Sequence, residues 1–148
     1  MTPGWFYPEF WASKQPLQTM TWYAGNKQSR GKACQFNRCE PILFFGKPLR
    51  KYDSDYFAVS TTRDTVGDEK LGNLHPCAKP RALIMKLMKP QVEKGGILYD
   101  AFLGSGSSLL AAEDTNRTCY GMEIIPKYVQ LAITRWELET GKKRVKIN

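Results

Sequence analysis

The sequence predicts an α/β fold, and three observations carry that reading. From Pro80 onward, segments with helical and strand character alternate along the chain. The connections between them are short, as in βαβ units built on a parallel sheet. The first strand of this series also runs into a glycine-rich turn, Gly104-Ser105-Gly106, that opens the next helix. Ahead of Pro80 the character differs, so the chain divides into a strand-rich, basic part over 1–79 and a βαβα unit over 80–148.

In order, Phe6 to Ser13 suits a short helix that ends before Pro16. Thr19–Tyr23 and Pro41–Phe45 are β-branched or aromatic runs flanked by Gly, Asn and Pro, hence strands. The polar segment between them reads as a long connection. Asp53 to Glu69 is polar and irregular apart from a short strand candidate, Tyr56–Val59. Pro80 is placed as a first helical residue, and the i, i+4 pairs Leu83/Leu87 and Ile84/Met88 carry that helix to Gly95-Gly96. Ile97–Tyr99 is a short buried strand, Ser107 to Asp114 a helix, and Thr118 to Ile124 a second strand. Pro126 opens a last helix with Val129, Ala132, Ile133 and Trp136 on one face and Gly141 just past its end.

A chain of 148 residues has the length of one domain, and its 42% apolar content excludes a disordered one. No stretch approaches the roughly 20 apolar residues of a membrane helix. Met1 to Trp5 lacks the charged and apolar regions of a signal peptide, so a cytoplasmic protein is expected. The net charge is +8, and Asn26 to Lys51 concentrates it: Lys27, Arg30, Lys32, Arg38, Lys47, Arg50 and Lys51 stand against the single acid Glu40. Such a stretch suits a polyanion, with Lys27, Arg30, Lys32 and Arg38 as candidate phosphate contacts, and it equally suits a solvated face. Cys34, Cys39, His75 and Cys77 make a poor zinc set, since no second close Cys pair exists and His75 is the one histidine. No metal is expected, and the cysteines read as unpaired buried thiols.

The segment Tyr99 to Ser108 carries the chemistry. A strand feeds a glycine turn, which feeds a helix whose N-terminus offers unpaired N–H groups. Nineteen residues after Gly104 stands Glu123, expected at the end of the next strand, where a carboxylate can accept both hydroxyls of a ribose. A dinucleotide fingerprint wants a third glycine where Leu109 stands, which disfavours a pyrophosphate ligand. S-adenosyl-L-methionine has an adenosine and no phosphate, and fits better. A flexible turn and a surface acid are the alternative readings of the same residues.

These residues also carry a resemblance. His75-Pro76-Cys77-Ala78-Lys79-Pro80, then Asp100-Ala101-Phe102-Leu103-Gly104-Ser105-Gly106-Ser107-Ser108, then Gly121-Met122-Glu123-Ile124 with Tyr128, resemble the C-terminal half of the permuted, beta-type DNA adenine-N6/cytosine-N4 methyltransferases. The family's elements are HP-x-x-KP, DPF-x-GSG-TT and an acidic strand end; here Ala101 replaces a proline, and Ser107-Ser108 replace two threonines. Trp22 with Cys39 to Lys47 resembles the region following the family's catalytic motif. The resemblance implies a Rossmann-like S-adenosylmethionine-dependent methyltransferase sheet. Asp100, Phe102, Gly104 and Gly106 would surround the methionine part of the cofactor, with Ser107 also among the cofactor-binding residues; Glu123 would hold the ribose, Ile124 would pack on the adenine, and Lys79 would lie near the carboxylate. Phe102 also suits a plain core position and Lys79 a solvated one.

The family's catalytic motif is an acid or amide followed by Pro-Pro and an aromatic, which engages a base flipped from duplex DNA. The sequence contains no Pro-Pro dipeptide, and Tyr7-Pro8-Glu9-Phe10 does not reproduce the motif. The resemblance therefore implies no catalytic residue in this chain and a sheet incomplete at its N-terminal side, with Met1 to Gly4 ending a strand begun upstream. Central strands would be missing between the two strand groups, so either another copy or a complementary chain supplies them, or the two groups meet directly. A fragment, a split-enzyme subunit and a degenerate remnant all fit, as do a non-catalytic nucleic-acid-binding module and a methyltransferase of another substrate.

Overall fold

The computed structural model describes residues 15–27, 37–61 and 78–147. The helix expected over Phe6 to Ser13, the strand end at Met1 to Gly4, and Arg30, Lys32, Cys34, His75 and Cys77 lie outside the described residues.

Three strands form the first sheet: β1 (Gln18–Tyr23), β2 (Cys39–Phe44) and β3 (Tyr56–Ala58), in the order β2-β1-β3. β2 runs antiparallel to β1 with Met20 opposite Ile42, and β3 runs parallel to β1 with Trp22 opposite Phe57. Pro41 lies within β2, which is tolerable because β2 is an edge strand and a proline there removes no ladder donor from the sheet interior. Alternation along β1 sends Met20, Trp22 and Ala24 inward, where they are 2%, 3% and 1% exposed.

The second sheet is a parallel pair, β4 (Ile97–Asp100) and β5 (Thr118–Gly121), joined through α2 (Ser107–Asp114). β5 is shorter than the expected strand over Thr118 to Ile124. At its end the partner changes: the Met122 N–H donates to Asp100, and the Leu103 N–H donates back to Met122, so the chain binds the glycine loop instead of a ladder. Glu123 consequently lies in a loop two residues past the strand.

Helix α1 (Arg81–Met88) stands between the two sheets. Leu83 joins Met20, Trp22, Ala24 and Phe57 in one core, with Leu87 packed against it. Met88 joins Ala111 and Ala112 in a second core, with Ile84, Leu98 and Cys119 around it. Pro80 proves to be the residue before the helix, in extended conformation, and its carbonyl accepts the Leu83 and Ile84 N–H groups. The helix stops at Met88 rather than at Gly95-Gly96, because Pro90 cannot donate to the next carbonyl of the ladder.

Helix α3 (Pro126–Thr140) begins at Pro126 and ends on Gly141 in the left-handed region, φ 70°, as its sequence indicates. Its buried face differs from the expected one. Leu131, Ala132 and Arg135 are buried, whereas Val129 is 36% exposed. The helix is rotated toward the glycine loop, which an arginine and an alanine meet.

Among the described residues the two strand groups do not pair with each other, so the expected direct meeting does not occur there. Cys39 is exposed instead of buried, because it sits at the solvent end of the edge strand β2. No helix among the described residues is long and apolar enough to cross a membrane.

Candidate functional site

The carboxyl ends of β4 and β5 and the start of α2 converge on the glycine loop. Asp100 closes β4, and its carboxylate accepts the Phe102 N–H at 2.9 Å, forming the first bend. Gly104 and Gly106 hold φ of 53° and 82°, a region that costs a side-chain-bearing residue energy. The Glu123 carboxylate bridges the two loops: one oxygen accepts the Gly104 N–H and the other the Ile125 N–H, each at 2.9 Å. Sequence spacing placed Glu123 at the end of the strand after the glycine loop, as an acceptor for ribose hydroxyls; its direct bond to the Gly104 amide is an addition of the fold.

The other candidates fall into distinct places. Phe102 and Ile124 are 90% and 93% exposed, projecting from the two loops that Glu123 joins. Ser107 is buried, and its hydroxyl donates inward to the Lys79 carbonyl at 2.7 Å. Gly106 faces α3: a Cβ built on it would stand 2.8 Å from Ala132 Cβ, so its bare backbone serves helix packing. Arg135 was not singled out in the sequence, since an arginine on a helix ordinarily reads as a solvent-facing residue. Its guanidinium is buried and donates to the Ser105 carbonyl at 2.6 Å.

Lys79 is engaged. Its ammonium lies 3.2 Å from Glu40 on β2 and 5.6 Å from the centre of the Trp22 ring. Lys27 binds the other Glu40 oxygen and stands 6.0 Å from the same ring. Burial alone would raise the Glu40 carboxyl, but the Lys27 hydrogen bond and the Lys79 charge outweigh it and hold the group below its ordinary value of 4.5. Among the basic residues of 26–51, Lys27 is thus committed to Glu40, Arg50 reaches Glu93 at 3.4 Å, and Lys47 and Lys51 are exposed. Cys119 lies under the site, with its thiol pushed up to about 11 by burial and by the Asp100 charge, so it stays protonated and is no nucleophile. The described residues include no group of three or more His, Cys, Asp or Glu arranged to hold a metal. A hollow of about 730 Å³ with a lining of mixed charge, Arg50, Lys89, Lys94 and Arg117 beside Glu93 and Asp114, opens at the other ends of β4 and β5, away from the glycine loop.

Similar proteins agree on one family. The profile of the N6/N4 group described as DNA methylase matches residues 8–134. The chain is 28% identical over 125 residues to the type II methyltransferase M.BglII of Bacillus subtilis, covering 84% of this chain and 32% of that protein. It is 37% identical over 65 residues to M.ScaI of Streptomyces caespitosus, covering 44% of this chain and 21% of the relative. The chain therefore spans about a third or less of these relatives' length. The structure of M1.HpyAVI in complex with SAM superimposes with a TM-score of 0.65 at 21% identity, over 86% of this chain and 66% of that one. The cytosine-N4-specific PvuII DNA methyltransferase gives 0.69 at 17%, over 82% and 51%. These likenesses show the fold, a Rossmann-like methyltransferase α/β arrangement.

Because the folded-state value of Glu40 is lowered, its contribution is present above the ordinary carboxylate range and is lost as pH falls through the folded value. Glu40→Gln is expected to cost about 0.5–1 kcal/mol at pH 7, a figure kept small by solvent screening. The difference from the parent should shrink below pH 4.5 in urea unfolding curves. A difference that stays constant from pH 7 to below 4.5 would show that the two ion pairs contribute nothing.

Proposed function

The chain belongs to the N6/N4 DNA methylase family, and on that premise we propose that it is the S-adenosylmethionine-binding portion of a DNA amino-methyltransferase acting on adenine N6 or cytosine N4. The observation that carries this reading is the Glu123 bridge, a carboxylate fixed by two amides at the carboxyl ends of two parallel strands. A carboxylate held in this way at the strand ends stands where paired ribose hydroxyls can meet it. The exposed Phe102 and Ile124 on either side give apolar surface for the cofactor's base and methionine chain. Lys79 and the N–H groups at the start of α2 supply positive potential for its carboxylate. The residues present therefore fit the group. When bound, S-adenosylmethionine supplies a methyl group on a positively charged sulfur, and this chain's residues bind and orient it.

Double-stranded DNA is the proposed substrate, met in the cytoplasm through the basic segment 26–51. The catalytic Pro-Pro-aromatic motif is proposed to come from a complementary polypeptide, another segment of the same methylase domain. The β4–β5 pair supports this. Its inner face packs Leu98 and Cys119 against α1 and α2, while Ile97, Tyr99 and Tyr120 on the outer face are 65%, 60% and 59% exposed. Parallel sheets are ordinarily covered on both faces, so this one suits an added layer.

Glu123→Ala should weaken cofactor binding by about 1.5–3 kcal/mol in calorimetry, the range for hydrogen bonds to a charged group. Equal affinity in parent and variant would remove Glu123 from the site. Duplex affinity should fall with salt along a log–log slope of about −3.6, for about four phosphate contacts. Affinity that ignores salt would refute the phosphate contacts. In a radiolabelled methyl-transfer assay the 148-residue chain alone should leave DNA unmodified, and a supplied polypeptide bearing the motif should restore transfer. Methylation by the chain alone would overturn the division of labour.

A further inference from the structure

The glycine loop is braced from behind by one buried arginine. Arg135, on the inner face of α3, is 4% exposed and donates to the Ser105 carbonyl at 2.6 Å. One turn earlier Ala132 meets Gly106, so the same helix face presses the loop at two successive residues. Holding a guanidinium out of water is costly, and an apolar side chain of similar volume would fill the same space without that cost. What it cannot do is donate to a carbonyl. Ser105 lies between Gly104 and Gly106, both at positive φ, where the backbone has more conformations open to it than anywhere else in the loop. A charge-assisted hydrogen bond on the intervening carbonyl selects one of them. That selected conformation presents the Gly104 N–H to Glu123 and starts α2 at Ser107.

We infer that Arg135 is a positioning residue for cofactor binding: it holds Ser105, and through it the Gly104–Glu123 bridge, in the ligand-ready geometry. The inference rests on the cofactor reading above, and Arg135 acts through the loop without contacting the ligand. Its signature is a split between stability and affinity, since a residue needed only for packing would lose both together.

The test uses the full chain with Arg135→Met and Arg135→Lys, S-adenosylmethionine titration by calorimetry, thermal melts and amide exchange at Gly106. Arg135→Met leaves the Ser105 carbonyl without that donor and should melt up to about 10 °C below the parent, the cost of one unpaired buried acceptor, while remaining folded at about 25 °C where affinity is read. It should bind the cofactor about tenfold or more weakly, the loss expected for a charged hydrogen bond, and exchange the Gly106 amide faster. Arg135→Lys keeps a donor and should recover part of the affinity. A parent that binds while both variants bind equally well overturns the role of Arg135 alone. Parallel loss of folding and affinity in both variants also overturns it, by making the residue structural. A parent that does not bind the cofactor at all overturns the cofactor reading and this inference with it.

Discussion

Two sheets that exchange no hydrogen bond among the described residues are held in one body by the eight residues of α1. Such a helix has little intrinsic stability, and most of what fixes it comes from packing. Here it packs on two sides at once, Leu83 and Leu87 into the β1–β3 core and Ile84 and Met88 into the β4–β5 core. Both ends are also tied. Tyr52 donates to the Leu87 carbonyl at 2.8 Å near one end. Arg81 at the other end meets Glu139 of α3 at 2.6 Å and Asp114 of α2 at 3.2 Å. Just ahead of the helix, Lys79 divides its groups between the two halves. Its ammonium goes to Glu40 and Trp22 of the first sheet, and its carbonyl takes the Ser107 hydroxyl of the glycine loop. The position of the loop relative to the first sheet thus depends on Lys79, on the short helix that follows it, and on the turn after the helix, where Gln91 bonds Leu49 and Arg50.

This arrangement leaves the β4–β5 unit covered on one face and bare on the other among the described residues. A two-stranded parallel pair has little stability of its own. Its inner side chains are stabilised by α1 and α2, and its loop ends by α3. Nothing among the described residues performs the same service for Ile97, Tyr99 and Tyr120. The same imbalance appears in the proposed chemistry, where the loops assigned to a nucleoside cofactor are gathered at one end of the pair and no Pro-Pro motif accompanies them in the sequence. Both observations favour a division in which this chain holds and orients the cofactor while other polypeptide addresses the base.

Much of the second half was legible because its signals are local. Pro126 and Gly141 bound α3 by properties of their own backbones, and Ser107 to Asp114 is bounded by a glycine in the left-handed region at one end and a turn at the other. That Glu123 and the glycine loop share one end of the sheet was legible because parallel register brings the ends of two successive strands together, whereas the bond between Glu123 and Gly104 was not. What escaped was set by distant partners. The early stop of α1 depends on Pro90, which the pattern of apolar residues runs through. Glu40 pairs with Lys79 across 39 residues of sequence, so neither residue announces the other. Arg135 resembles any surface arginine until the loop it supports is folded against it.

The glycine loop shows how one short pattern divides its work. Read along the sequence, Gly104 and Gly106 both make room for a ligand. In the fold only Gly104 faces Glu123, while the missing side chain of Gly106 leaves space for Ala132. Gly121 has a similar task, since a Cβ there would approach the Leu103 side chain to 2.8 Å. Close helix packing, which a dinucleotide fingerprint assigns to its third glycine, is obtained here at Gly106 against α3. The position of that third glycine is left to Leu109, which is partly buried on α2. A glycine turn of this kind is therefore constrained from behind as well as on the side that meets Glu123. Ala132 and Arg135 are the residues on which that rear constraint falls.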